Sequence, residues 1–181
     1  MVEFAELMGR SGLELVAHGA EVEEDGDDYV SNALLKARAA SLATGLPSLG
    51  DDSGLELEAL DGFPGLRSAR IAPTQAERTQ ILMAQLTPHP RPWRAQFVCA
   101  LALSWPDGSE QTFSGRAKGE VVPARGFGGF GYDPVFLVPE AGRTFAEMGT
   151  SQKHRYSHRG AAVRALLESG ALRRLQLGSG T

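Results

Sequence analysis

A chain of 181 residues that is 42% hydrophobic and 22% charged is expected to fold as one domain, with room for two lobes, which excludes a disordered or fibrous protein. No apolar run approaches the length of a membrane span, the acidic start Met1-Val2-Glu3-Phe4-Ala5-Glu6 is not a signal peptide, and the lone Cys99 excludes an intramolecular disulfide or a Cys-based metal site. A net charge of −4 argues against binding a nucleic acid polymer, and the cytoplasm is the expected compartment.

In chain order, residues 3–11 read as a short helix, with Phe4, Leu7 and Met8 on one face and Gly12 as its stop. Leu13 to Ala17 fits a strand, and residues 18–28 form an acidic loop. Asp27 or Asp28 can cap a helix running to about Thr44, with Val30, Ala33, Leu34 and Ala37 as its apolar stripe and Gly45 and Pro47 ending it. Leu49 leads into an acidic turn, Asp51-Asp52-Ser53-Gly54, followed by a strand from Leu55 to Leu60. Thr74 with Glu77 signals a capping box for a helix over 75–86. Arg94 to Trp105 is a long strand, Pro106-Asp107-Gly108 a turn, and Glu110 to Gly115 the returning hairpin partner. Further strands are expected at 119–123 and from Pro134 to Val138, on either side of a glycine-rich loop at 126–131. A last helix runs from near Ser157 to Gly170 with Ala162, Leu166 and Leu167 inward, and residues 178–181 are expected to fray.

Three of these segments carry chemistry. The adjacent carboxylates of Asp51 and Asp52 suit a hard cation such as Mg²⁺ and the activation of a water, although Asp-Asp-Ser-Gly also makes an ordinary turn. The loop Gly126-Phe127-Gly128-Gly129-Phe130-Gly131 lacks the spacing and lysine of a Walker loop. Its phenylalanines and Tyr132 suit packing a base better than wrapping phosphates. Ser157-His158-Arg159 places a His and an Arg in the first turn of a helix, where donors can meet carbonyl or phosphate oxygens. Donors aimed at purine position 6 would accept the oxo group of hypoxanthine or xanthine and be left unpaired by the amino group of adenine. Charge follows the same division: residues 1–61 hold 14 Asp/Glu and 3 Lys/Arg, and residues 62–181 hold 8 and 15. This is either uneven surface charge or a division in which carboxylates for a metal come early and cations for phosphates come late.

Asn32-Ala33-Leu34-Leu35-Lys36-Ala37-Arg38, Asp51-Asp52-Ser53-Gly54-Leu55, Pro64-Gly65 with Ser68-Ala69-Arg70, Gly128-Gly129-Phe130-Gly131-Tyr132-Asp133-Pro134-Val135-Phe136 and Ser157-His158-Arg159 stand in one order. In that order they resemble the inosine/xanthosine triphosphate pyrophosphatases, the Ham1-like family. The resemblance covers essentially the whole chain. It implies a mixed α/β fold with an elongated central sheet flanked by helices, two lobes with a nucleotide cleft between them, Mg²⁺ as cofactor and a homodimer. The implied reaction is cleavage of ITP, dITP or XTP to monophosphate and pyrophosphate by water attacking the α-phosphorus. By position, Asp52 is implied as the catalytic and metal-linked carboxylate with Asp51 beside it, and Phe130 as the ring that stacks on the base. Asp133, His158 and Arg159 are implied at the base edge, with Lys153, Ser53 and Arg70 near substrate.

Two departures temper the resemblance. The family opens with a strand and a Thr/Ser-x-Asn-x-x-Lys loop, whereas Met1-Val2-Glu3-Phe4 matches the helix after that loop, so the strand and loop are expected to be absent. Ser31 stands where a metal-binding Glu is expected before Asn32-Ala33, and Asp27 or Asp28, about one turn earlier, could substitute if the helix extends that far, the alternative being that both are caps or solvated loop charges. Both departures leave open a weak or inactive purine-nucleotide-binding protein of the same fold. A related pyrophosphatase of altered base specificity is a further alternative.

Overall fold

The computed structural model describes residues 2–9, 11–19 and 22–177, so the expected fraying of 178–181 lies outside the described residues. The chain is a mixed α/β fold with helices α1 (Val2–Met8), α2 (Tyr29–Thr44), α3 (Gln75–Leu86), α4 (Thr150–Tyr156), α5 (His158–Ser169) and α6 (Arg173–Leu177). Its strands are β1 (Ser48–Leu57), β2 (Pro64–Gly65), β3 (Trp93–Ser104), β4 (Glu110–Val121), β5 (Phe136–Val138) and β6 (Arg143–Thr144), in the sheet order β2-β1-β3-β4-β5-β6. The β1–β2, β4–β5 and β5–β6 pairs are antiparallel, with Leu55 opposite Gly65, Glu120 opposite Leu137 and Leu137 opposite Thr144.

The chain divides into two compact units. The first holds Met1–Asp52, Cys99–Gly115 and Arg159–Thr181, and the second Ser53–Val98 and Arg116–His158. In the first unit β3 is buried on both faces. Cys99, Leu101 and Leu103 pack with Phe4 and Met8 of α1 and Ala162, Val163 and Leu166 of α5. The alternate residues Ala100 and Ala102 meet Ala33 and Ala37 of α2. Four alanines let α2 lie close on the sheet, and Gly50 of β1 extends the same contact. A Cβ there would collide with the Ala33 carbonyl oxygen and come within 2.6 Å of the Ala37 amide nitrogen. In the second unit, Leu55, Leu57, Phe97, Phe136, Phe145 and Leu82 of α3 share another core, in which the Phe97 ring lies 4.7 Å from Phe136.

The caps predicted for α2 and α3 hold, whereas α1 ends at Met8 and not at Gly12. Asp28 caps α2, accepting from the Ser31 amide at 2.7 Å, and Gly45 closes it in the left-handed conformation. Thr74 and Glu77 form the reciprocal capping box of α3. Elsewhere the structure corrects the reading. Residues 13–17 are irregular: Leu13 and Leu15 rest on the first core while Val16 is exposed. Asp51-Asp52-Ser53-Gly54 is no turn but the middle of β1. The expected strands at 110–115 and 119–123 are one strand, because Gly115 and Gly119 sit inside β4 rather than ending it. A Cβ at Gly119 would strike the Leu137 carbonyl of β5. Val30 and Leu167 are exposed, their helices turning Ala33 and Leu166 inward instead. The short α4 and α6 went unpredicted.

Candidate active site

Successive side chains of a strand point to opposite faces, and β1 obeys that rule at its acidic centre. Gly50 and Asp52 face α2, whereas Leu49 and Asp51 face the side packed by α1 and α5. The expected adjacent metal pair is therefore split between two environments.

Asp52 is buried, and each of its oxygens meets a residue of α2. Asn32 Nδ2 donates to Oδ2 at 3.2 Å, and Lys36 Nζ donates to Oδ1 at 3.1 Å. Asn32 and Lys36 are four apart and so share a helix face. Lys36 also donates to the Asp51 carbonyl at 2.9 Å and pairs with Glu24 Oε1 at 2.7 Å. Burial works to lower the Lys36 pKa, but the hydrogen bonds and charges of Glu24 and Asp52 outweigh it and hold the ammonium above its ordinary range. Asn32 Oδ1 accepts from the Gly26 amide at 2.9 Å, which ties the loop carrying Glu24 to the same helix. The acidic residue that shares a partner with Asp52 is thus Glu24. Of the expected substitutes for Ser31, Asp28 caps α2, where the Ser31 amide and side chain keep its carboxyl below the usual carboxylate range.

Asp51 Oδ2 accepts from Arg159 at both Nε (3.3 Å) and Nη2 (3.1 Å), and Arg159 Nη1 donates to Glu3 Oε2 at 3.1 Å. The guanidinium also lies 5.7 Å over the Phe4 ring. Burial works against its charge, and the carboxylates of Asp51 and Glu3 more than restore it.

In the second unit, Gly128 N donates to the Ala146 carbonyl at 3.1 Å, pinning the glycine-rich loop. Gly129 has φ near +74°, and a Cβ there would run into the Asp133 carboxylate, so glycine is required. Asp133 is buried. Its Oδ2 accepts from the Phe130 amide at 2.8 Å and from Lys153 Nζ at 2.7 Å. Lys153, on the unpredicted α4, is buried too and sits 4.5 Å over the half-exposed Phe130 ring. Asp133 and Lys153 therefore fix the ring's backbone and one of its faces. His158, buried at the start of α5, stacks on Phe97 at 4.7 Å and 11°. Ser53 follows Asp52 in β1, partly buried. Arg70 is exposed and donates to the Leu66 carbonyl of its own turn at 3.1 Å.

Sequence reasoning missed Glu24, Lys36 and Glu3 as site residues. Lys36 had a signal, a cation one turn after Asn32 on the helix face that also carries Ala33 and Ala37. The two glutamates had none, since nothing local sets them apart from their acidic neighbours.

The architecture and these side chains can be placed beside known proteins. The description "Ham1 family" matches residues 1–169. A dITP/XTP pyrophosphatase of Thermus thermophilus is 52% identical over 153 residues, covering 81% of this chain and 73% of that protein. A dITP/XTP pyrophosphatase of Symbiobacterium thermophilum is 44% identical over 172 residues, covering 92% and 87%. Among solved structures, a HAM1 protein from Coxiella burnetii superposes with a TM-score of 0.82 at 37% identity, covering 91% of each chain. The Staphylococcus aureus Ham1 protein does so with a TM-score of 0.77 at 37% identity, covering 92% of this chain and 85% of that one.

Proposed function

The chain belongs to the Ham1 family, and we propose that it hydrolyses deaminated purine nucleoside triphosphates, namely ITP, dITP and XTP, to the monophosphate and pyrophosphate. The observation that carries this reading is the 52% identity to a protein named for that activity. The Asp52–Asn32–Lys36–Glu24 arrangement gives it a chemical basis.

The implied cofactor is Mg²⁺. This ion prefers one or two carboxylates and completes its octahedron with water and substrate phosphates. Glu24 and Asp52, facing one ammonium, are such a donor pair. Among the described residues no group of three or more His, Cys, Asp or Glu gathers into a fuller cage. Glu24 and Asp52 would hold the ion. When bound, Mg²⁺ would neutralise phosphate charge and make a coordinated water more acidic.

The chain's own groups supply the remainder. Asp52 takes a proton from the attacking water, whose oxygen bonds to the α-phosphorus as the bond to the bridging oxygen breaks and pyrophosphate leaves with that oxygen. Asn32 and Lys36, donating to Oδ2 and Oδ1, fix the orientation of the Asp52 carboxylate. Lys36 spends its three donors on Glu24, Asp52 and the Asp51 carbonyl and so holds the two carboxylates in place. Phe130, braced by Lys153 and Asp133, stacks on the base, with Ser53 beside the phosphates. His158 and Arg159 donate to the 6-oxo group, which selects hypoxanthine and xanthine over adenine. Arg70 is the outlying member of this set. A single catalytic domain and a cytoplasmic homodimer complete the proposal.

The test is pyrophosphate release from ITP, XTP, GTP and ATP, with and without Mg²⁺. Release confined to ITP and XTP and dependent on the ion is the expected result. A folded chain that binds ITP without turnover would support the binding-protein reading instead.

A further inference from the structure

Arg159 is gripped by carboxylates from two other elements, Glu3 of α1 and Asp51 of β1. Three of its N–H groups go to them, and two of those converge on the single oxygen Asp51 Oδ2. All three side chains are mostly removed from solvent, with 17% of Arg159, 14% of Glu3 and 30% of Asp51 exposed. Arg159 held in this way has its charge already answered by carboxylates, which makes it a poor phosphate clamp. It remains a good donor to a neutral carbonyl, and its plane is fixed before substrate arrives. Asp51 points to the face of β1 opposite Asp52, where Leu49 joins the packing of α1 and α5. It meets the Glu24–Lys36–Asp52 arrangement through its backbone carbonyl, which accepts from Lys36.

We infer that Glu3 and Asp51 are positioning residues that orient Arg159 toward the 6-oxo group of the purine, and that Asp51 is not a metal ligand; this rests on the hydrolysis of 6-oxopurine nucleotides proposed above. Base selectivity would then be built partly by α1, an element with no other role in the site.

Steady-state kinetics of Asp51→Asn, Glu3→Gln, Arg159→Ala and the Asp51→Asn/Arg159→Ala double variant test the assignment, with ITP and ATP as substrates and Mg²⁺ titrated. Asp51→Asn and Glu3→Gln are each expected to raise KM for ITP and cut the preference for ITP over ATP by about tenfold, the scale of one misplaced polar contact. The Mg²⁺ concentration for half-maximal rate should not move. Asp51→Asn should change nothing further once Arg159 is Ala, because both substitutions remove one interaction. A raised Mg²⁺ requirement with intact ITP preference would make Asp51 a metal ligand and overturn the assignment. So would additive losses in the double variant. Thermal melts accompany each variant, and Glu3→Gln, placed outside the sheet, carries the same expectations if Asp51→Asn does not fold. A wild-type chain that releases no pyrophosphate from any substrate overturns the functional reading and the assignment together. An active wild type whose variants keep their selectivity overturns the assignment alone.

Discussion

At the scale of single residues, two charged contacts decide most of what the site can do. The Lys36 ammonium meets Glu24 and Asp52 together, so the two carboxylates are held within reach of a common cation. Glu24→Gln should raise the Mg²⁺ concentration needed for half-maximal pyrophosphate release by more than about tenfold, since even outer-sphere partners of a metal cost that much. Asp27→Asn, in the same acidic loop, should leave it unchanged. An Mg²⁺ titration of both variants checks the pair. The second contact is Lys153 with Asp133, 2.7 Å apart and nearly inaccessible to water. Removing one partner of a buried pair strands the other charge. Lys153→Met should therefore destabilise the fold by about 3–5 kcal/mol in urea unfolding, and it should also raise KM for ITP because the Phe130 ring loses its brace. Asp133 and Lys153 were both candidates from the sequence, but their pairing was not legible there. Lys153 lies on a helix too short to show an apolar stripe, and the pair joins residues 20 positions apart.

At the scale of elements, the close docking of α2 on the sheet delivers Asn32 and Lys36 to Asp52. It depends on small residues on both sides: Ala33 and Ala37 of the helix, and Ala100, Ala102 and Gly50 of the sheet. Gly50→Ala would push a methyl into the α2 backbone. Overpacking of this kind costs about 1–3 kcal/mol, and the retreat of α2 should lower kcat as well. Denaturant melts and ITP turnover on the same sample measure both effects. The helices with polar caps were read well because a cap is a local hydrogen bond: Asp28 to Ser31, Thr74 with Glu77. β1 was misread for the opposite reason. Asp, Ser and Gly favour turns in isolation, and only pairing with neighbouring strands and the cover of α2 hold them extended.

At the scale of the whole molecule, the two units have separate apolar cores and different charge. The first carries 14 Asp/Glu against 7 Lys/Arg, and the second 8 against 11. The proposed metal-binding carboxylates belong to the acidic unit, and the braced aromatic ring belongs to the basic one. The unit boundaries fall inside β1, β3, β4 and the start of α5 rather than in linkers, which is why no interdomain linker was visible along the chain. Among the described residues no helix is long and apolar enough to cross a membrane.

The sequence by itself determined the fold class, the extents of α2, α3 and β3, and the motifs that mark the Ham1 family, because helical period, capping and motif order are written in neighbouring residues. Only the tertiary structure decided that Asp51 and Asp52 part company, that Glu24 rather than Asp27 or Asp28 joins Asp52, and that Glu3 reaches Arg159 from 156 residues away. Those outcomes depend on the side-to-side alternation of a strand and on the docking of distant segments. A choice among chemically similar carboxylates is made by position in space, which no local pattern encodes.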